Sequence, residues 1–237
     1  MSLPRSSIRV CIALALLLPV AGCGHSGDEP GGARVDESAI TVLYCCGHRV
    51  FGPSWDMPAK YLVFQPLATM GADGELEGRL ARSWEHSEDF LDWTIHLRSD
   101  VTWHDGVPFT ARDIEFTLNL LRHPEVLAIP SSFDVRVIDD ITLTIRVDDD
   151  SNFDPLDEWV TYYPEHLLAD LDPAELYNWD FWASPVGTGG FRYVRHEPNV
   201  MTEFEAYPDY YRGRPQIDRG RLKNAESTIA ELRSGTG

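Results

Sequence analysis

Trp93-Thr94-Ile95-His96-Leu97-Arg98, followed by Val101-Thr102-Trp103-His104-Asp105-Gly106-Val107-Pro108-Phe109-Thr110-Ala111-Arg112-Asp113-Ile114, holds three local signals in succession. Trp93, Ile95 and Leu97 alternate with Thr94, His96 and Arg98, which predicts a strand with one buried and one wet face. Val101–Trp103 is predicted to continue as a short strand. His104-Asp105-Gly106 is a turn signal, because Asp tolerates left-handed backbone and Gly adopts it freely. Thr110 can cap a helix over 111–122, with Asp113 as the acidic half of a capping-box-like start. Ile114, Leu118 and Leu121 follow at i, i+4 and i+7 and make its core stripe.

The same reading extends in both directions. Downstream, Val135 and Val137 lead through Asp139-Asp140 to Ile141, Leu143, Ile145 and Val147, which alternate with Thr142, Thr144 and Arg146. This predicts a hairpin whose Ile141, Leu143 and Ile145 face a core. Pro164–Ala169 and Pro173–Trp179 read as short helices opened by proline. Pro185–Gly190 is a glycine-rich loop, Phe191–Arg195 and Val200–Ala206 are strands about a Pro198-Asn199 turn, and Tyr207–Pro215 is rich in turns. Glu226–Arg233 reads as a last short helix. Upstream, Ala39–Tyr44 is a first strand, Gly47–Pro58 a loop, and Lys60–Met70 fits either helix or extended chain. No repeat or heptad occurs. Strands and helices mix without regular alternation, so the class is α+β, or α/β with a mixed sheet.

The first 23 residues carry an export signal. Arg5 and Arg9 precede an apolar run from Val10 to Val20, and Ala21-Gly22 leads into Cys23. The run is shorter than the ~20 apolar residues of a spanning helix. Val20-Ala21-Gly22-Cys23 resembles the lipobox of bacterial lipoproteins, which makes residues 1–22 a signal peptide and Cys23 the lipidation site. Residues 23–38 are small, polar and poor in apolar side chains, and read as a flexible tether. The chain has 237 residues and a formal net charge of −18, from 20 Lys and Arg against 38 Asp and Glu. A surface this acidic repels phosphate backbones and excludes nucleic acid as a partner. Beyond Cys11 and Cys23 the cysteines are Cys45 and Cys46. Adjacent residues lie at ~3.8 Å, closer than the about 4.4–6.8 Å a disulfide spans, so the pair reads as strand residues facing opposite ways.

Catalytic and metal motifs are weak. His104-Asp105 could be a catalytic or metal pair, but its setting in Trp-His-Asp-Gly-x-Pro is that of a turn. Asp148-Asp149-Asp150 with Asn152, Asp154, Asp157 and Glu158 invites a calcium reading. Phe153 and Trp159 then occupy the glycine and bidentate-glutamate positions of the EF-hand template. Pro185–Gly190 lacks the Lys-Ser/Thr of a phosphate loop and precedes a strand. The eight histidines form no HxH, HExxH or i,i+4 pair, and no GxSxG occurs. The expectation is no enzyme, no metal site and no cofactor.

In order, several segments are more specific than any one alone. Leu80-Ala81-Arg82-Ser83-Trp84-Glu85, then Trp93 to Arg98, then Trp103 to Ile114 resembles the N-terminal hallmark of the family 5 solute-binding proteins, the peptide, oligopeptide and nickel-binding receptors of ABC importers. Tyr163-Pro164-Glu165-His166-Leu167-Leu168, Pro185-Val186-Gly187-Thr188-Gly189-Gly190-Phe191 and Tyr207-Pro208-Asp209-Tyr210-Tyr211-Arg212-Gly213-Arg214-Pro215 are similar to its downstream segments. The likeness covers residues 39–235. Gly190 stands where the family has proline and Ala206 where it has asparagine, and one residue is inserted near Phe90-Leu91.

The resemblance implies a periplasmic-binding-protein-like fold of type II, class C-like. The first lobe, over 39–237, would be made of pieces 39–66 plus 183–237, and 67–182. Family chains are longer, and Ala230–Gly235 is similar to the passage into their second lobe, so that lobe is expected to be missing here. The implied role is an extracytoplasmic, lipid-anchored receptor that captures a peptide or similar solute between two hinged lobes and passes it to an ABC permease and its ATPase. Aligning Tyr61–Leu67 with the family places Gly52, Pro53, Ser54 and Trp55 at the ligand. Their main chain would meet a peptide backbone, and Trp55 would either stack on the solute or pack under its own loop. A nickel or metal-chelate receptor on the same scaffold, or a truncated remnant that binds nothing, are the alternatives. A single lobe is expected to bind peptide weakly or not at all, because it leaves the ligand half in water.

Overall fold

The computed structural model describes residues 39–44, 57–126, 128–129, 133–148, 153–197, 200–224 and Arg233. Cys23, Cys45, Cys46, the loop holding Gly52, Pro53, Ser54 and Trp55, the Pro198-Asn199 turn and most of the expected 226–233 helix lie outside them.

The chain runs β1 (Ala39–Tyr44), α1 (Met57–Val63), β2 (Ala68–Met70), β3 (Leu76–Gly78), β4 (Ala81–His86), β5 (Asp92–Leu97), α2 (Ala111–Leu121), β6 (Phe133–Asp139), β7 (Thr142–Val147), α3 (Glu165–Leu168), two 3₁₀ turns (Pro173–Asn178 and Asp180–Ala183), β8 (Phe191–Glu197), β9 (Met201–Ala206) and β10 (Arg219–Asn224). Lys60–Met70 therefore resolves into the end of a helix, an irregular crossing and a three-residue strand.

Two four-stranded sheets organise these elements. One is antiparallel, in the order β4-β5-β7-β6. Trp93, Ile95 and Leu97 are 9%, 0% and 2% exposed, so the alternating face of β5 is buried against the stripe of α2, whose Ile114, Leu118 and Leu121 are also buried. The capping half of α2 forms as the sequence predicts. The Asp113 carboxylate accepts the Thr110 backbone N–H at 2.8 Å and the Glu165 N–H at 3.0 Å, so one acid caps α2 and anchors the segment leading into α3. Burial raises the Asp113 carboxyl, and these hydrogen bonds oppose the rise. Thr117, inside α2, accepts the Tyr163 N–H at 2.8 Å. Edge-on aromatic contacts from Trp103 to Phe109 and from Tyr163 to Trp182 complete the packing around the helix.

Two sequence expectations change here. Ile141 does not face the core: it is 40% exposed, while Leu143 and Ile145 are 0% and 1%. The register shifts between Val137 and Asp139, and Asp139 pairs with Thr142. Ile141 thus falls in the two-residue hairpin connection, where the pleat has ended and alternation no longer fixes a face. Val101–Trp103 is not a strand but a single bridge, Thr102 to Pro108. The turn at 104–106 reverses the chain at once, with Gly106 at φ +90°. The β4–β5 connection holds Phe90 at φ +59°. Trp93 Nε1 donates to the Phe90 carbonyl at 2.7 Å, which holds this left-handed residue where the sequence carries its extra position.

The second sheet is mixed, in the order β1-β10-β9-β8. β1 pairs with β10 in parallel, Ala39 opposite Arg219 through Tyr44 opposite Asn224, and the remaining pairs are antiparallel. Cross-strand ion pairs cover one face: Arg195 to Glu203 at 2.9 Å, Arg221 to Glu203 at 3.1 Å and Arg192 to Glu205 at 2.8 Å. The opposite face carries Phe204 and Thr202, both buried. Residues 219–224 show no alternation of apolar and polar side chains strong enough to mark a strand, and this strand was not anticipated from the sequence.

Candidate functional site

The segment between β1 and α1 holds Gly52, Pro53, Ser54 and Trp55, so the described structure presents the frame on which that loop is mounted. Its downstream post is the first turn of α1. Lys60 is only 6% exposed. Its ammonium donates to the carbonyl of Glu158 at 3.4 Å and to that of Trp159. Burial lowers this amine to about 8, against the attraction of Asp157 and Glu158. Glu158 in turn accepts the Thr69 hydroxyl at 3.0 Å. Two further acids of the stretch after β7 make local bonds: Asp154 accepts the Leu156 N–H at 2.8 Å and Asp157 the Trp159 N–H at 2.9 Å. Among the described residues no group of three or more His, Cys, Asp or Glu side chains could hold a metal ion.

The chain passes between the two sheets twice, outward through 64–67 and back through Pro185–Gly190, and the two crossings lie side by side. Gly189 donates its N–H to the Val63 carbonyl at 2.8 Å. Gln65 donates its N–H to the Thr188 hydroxyl at 3.2 Å, and the Tyr210 hydroxyl donates to the Gln65 side-chain oxygen at 3.3 Å. The glycines are required by closeness. A Cβ on Gly187 would stand 1.9 Å from the Val63 oxygen, and one on Gly189 would stand 2.2 Å from the Leu62 oxygen.

His104 closes this junction from the side of the first sheet. Its backbone N–H donates to the Gly187 carbonyl at 2.9 Å. Its ring Nδ1 accepts the Gly187 N–H at 3.2 Å, and its Nε2 faces the Gly189 carbonyl at 3.0 Å. A backbone N–H can only donate and a carbonyl can only accept, so the ring is the neutral tautomer with its proton on Nε2. Tyr207 packs on it at 5.0 Å between ring centroids, and the Tyr207 hydroxyl donates to the Trp103 carbonyl at 3.2 Å. The neighbouring Asp105 instead pairs with His166 Nε2 at 2.7 Å, joining the turn to α3. His104 and Asp105 therefore look to different partners. The sequence marked the turn but not this second task of the imidazole, which depends on a loop more than eighty residues downstream.

The profile described as bacterial extracellular solute-binding proteins, family 5 Middle, matches residues 75–237. A Brucella ovis protein provisionally named an ABC transporter peptide-binding protein is 36% identical over 186 residues, covering 73% of this chain and 34% of that protein. The periplasmic oligopeptide-binding protein OppA of Haemophilus influenzae is 28% identical over 200 residues, covering 74% of this chain and 37% of its own length. Among solved structures, NikZ from Campylobacter jejuni in complex with Ni(L-His) superimposes with a TM-score of 0.73 at 25% identity, over 85% of this chain and 42% of that one. The chain thus spans about a third of the length of the curated relatives it matches.

Proposed function

The chain belongs to the bacterial extracellular solute-binding proteins, family 5, and from that membership we propose that it serves as the solute-capturing component of an ABC importer, taking peptides or similar small solutes. The observation that carries this reading is the agreement of a family profile over residues 75–237 with a fold shared over 85% of the chain. On this reading the work is differential affinity between open and closed states, with no covalent chemistry and no cofactor. The protein is not an enzyme. Its partners are the permease and its ATPase.

The finer assignments rest on the sequence and on its resemblance to the family. Residues 1–22 are the export signal, Cys23 carries the lipid that tethers the protein to a membrane outside the cytoplasm, and 23–38 is the tether. The body divides into 39–66 plus 183–237, and 67–182. The junction of Val63–Gln65 with Thr188 and Gly189 stands close to both of these divides and supports the division. Gly52, Pro53, Ser54 and Trp55 supply the ligand contacts from this half of the site. The first turn of α1, fixed through Lys60, gives their loop a rigid end.

A nickel-chelate solute is the second reading, favoured by the likeness to a protein solved with Ni(L-His). Calorimetry of the full-length protein against a di- to pentapeptide pool and against nickel with L-histidine separates the two. Heat of binding with peptide alone supports the first reading, and with the chelate alone the second. Binding of neither favours the remaining alternative, a truncated remnant that holds no solute. Replacing Cys23 with Ala should abolish lipid labelling and leave an uncleaved precursor; normal labelling of that variant rejects the anchor.

A further inference from the structure

We infer that His104 is a positioning residue whose ring holds the Pro185–Gly190 crossing against the turn at 104–106, and that a single added proton on the ring frees Gly187 from it. The turn at 104–106 does not need an imidazole, since Asp105 and Gly106 supply its backbone requirements and Gly106 takes the left-handed position. The ring is used elsewhere. Both of its nitrogens bond to the backbone of one loop, Nδ1 to the Gly187 N–H and Nε2 to the Gly189 carbonyl. A second proton would have to sit on Nδ1, where the Gly187 N–H already points. Two hydrogens would then face each other across a contact now 3.2 Å long, and the loop would have to withdraw.

The surroundings favour the neutral ring. Burial is the largest influence, followed by the Gly189 carbonyl, which supports the proton on Nε2. Arg192 of β8 repels an added charge and Asp105 attracts it, but the Asp105 carboxylate is already engaged by His166. Tyr207 covers the ring from the end of β9. Together these hold the imidazole down to about 4. Releasing the ring removes its two bonds to the returning crossing and leaves the bond from the His104 N–H to the Gly187 carbonyl as the remaining bond from the turn. The bonds from Gly189 to Val63 and from Thr188 to Gln65 then remain within the second sheet's own border.

Amide hydrogen exchange read by NMR on the full chain, corrected for intrinsic rates, tests this. With a free histidine near 6.5, protection of the Gly187 amide should fall on the order of a hundredfold between pH 7 and pH 4, while the Gly189 amide, bonded to the Val63 carbonyl, should keep its own. Ile95 and Leu143, in the central strands β5 and β7, should keep theirs. His104→Gln retains a donor toward Gly189 but cannot titrate in this range. It should fold, with Gly187 protection lower than the parent's at pH 7 and flat with pH. Long-range proton–nitrogen spectra at pH 7 should show Nδ1 without a proton. Flat Gly187 protection in the parent protein, loss of Ile95 and Leu143 protection in step with Gly187, a persistent pH slope in the Gln variant, or a proton on Nδ1 at pH 7 would each overturn the inference.

Discussion

The His104 imidazole has a stability consequence of definite sign. Its folded value of about 4 lies below the ordinary 6.5, so the unfolded chain takes up a proton first as the solution is acidified. The full stability is present above pH 6.5 and is lost progressively as pH falls toward 4, by about 3 kcal/mol from this group. Urea denaturation of the parent protein at pH 7 and pH 4.5 should show a loss that His104→Gln shows less of; equal losses would remove His104 as the cause. The two crossing glycines make a second residue-scale test. Gly187→Ala forces a methyl into the Val63 carbonyl and should destabilise by several kcal/mol or prevent folding. Gly74→Ala, at φ +84° with open space around it, strains only the backbone and should cost about 1 kcal/mol. Thermal melts compare them. If Gly187→Ala melts with Gly74→Ala, the close approach of the crossings is wrong.

Elements here form where local pattern and tertiary contact agree. In β5 and β7 the alternating residues are buried, and truncating Ile95 or Leu143 to Ala should cost about 2–5 kcal/mol. Ile141→Ala should cost well under half as much, because that side chain stands in the hairpin connection at 40% exposure. Denaturant midpoints of the three variants check both the strands and the corrected turn. The start of α2 rests on Asp113, which serves Thr110 and Glu165 at once. Asp113→Ala should therefore lose more than the about 1 kcal/mol of an ordinary cap, since it also strands the half-buried Glu165 N–H. Calorimetric unfolding of Asp113→Ala beside Thr110→Ala decides this, and equal losses would confine Asp113 to capping.

At the scale of the whole molecule, β1 sits at the edge of the mixed sheet and β10 is its partner there. Replacing Leu222 with Pro removes a ladder donor in the middle of β10. It should strip hydrogen-exchange protection from Ala39–Tyr44 while leaving β5 and β7 protected; retained protection of β1 would contradict the pairing. The sequence by itself determined the mixed class, the β5 strand, the 104–106 turn, the α2 helix with its cap and stripe, and the hairpin, because each depends on periodicity or on a side chain acting within a few residues of itself. The order of its motifs also determined the family. Ile141 was misplaced because alternation cannot show where a pleat ends, which the register shift opposite Val137 decides. The loop with Gly52, Pro53, Ser54 and Trp55 was reached only through resemblance, since nothing in its own residues marks a binding surface. β10, the parallel pairing of Ala39–Tyr44 with a strand that begins at Arg219, and the docking of His104 on Gly187 and Gly189 were decided by the tertiary structure alone. The physical reason is common to all three. Each joins residues far apart in the chain through hydrogen bonds to backbone groups, and a backbone group is the same at every position until the fold chooses its partner.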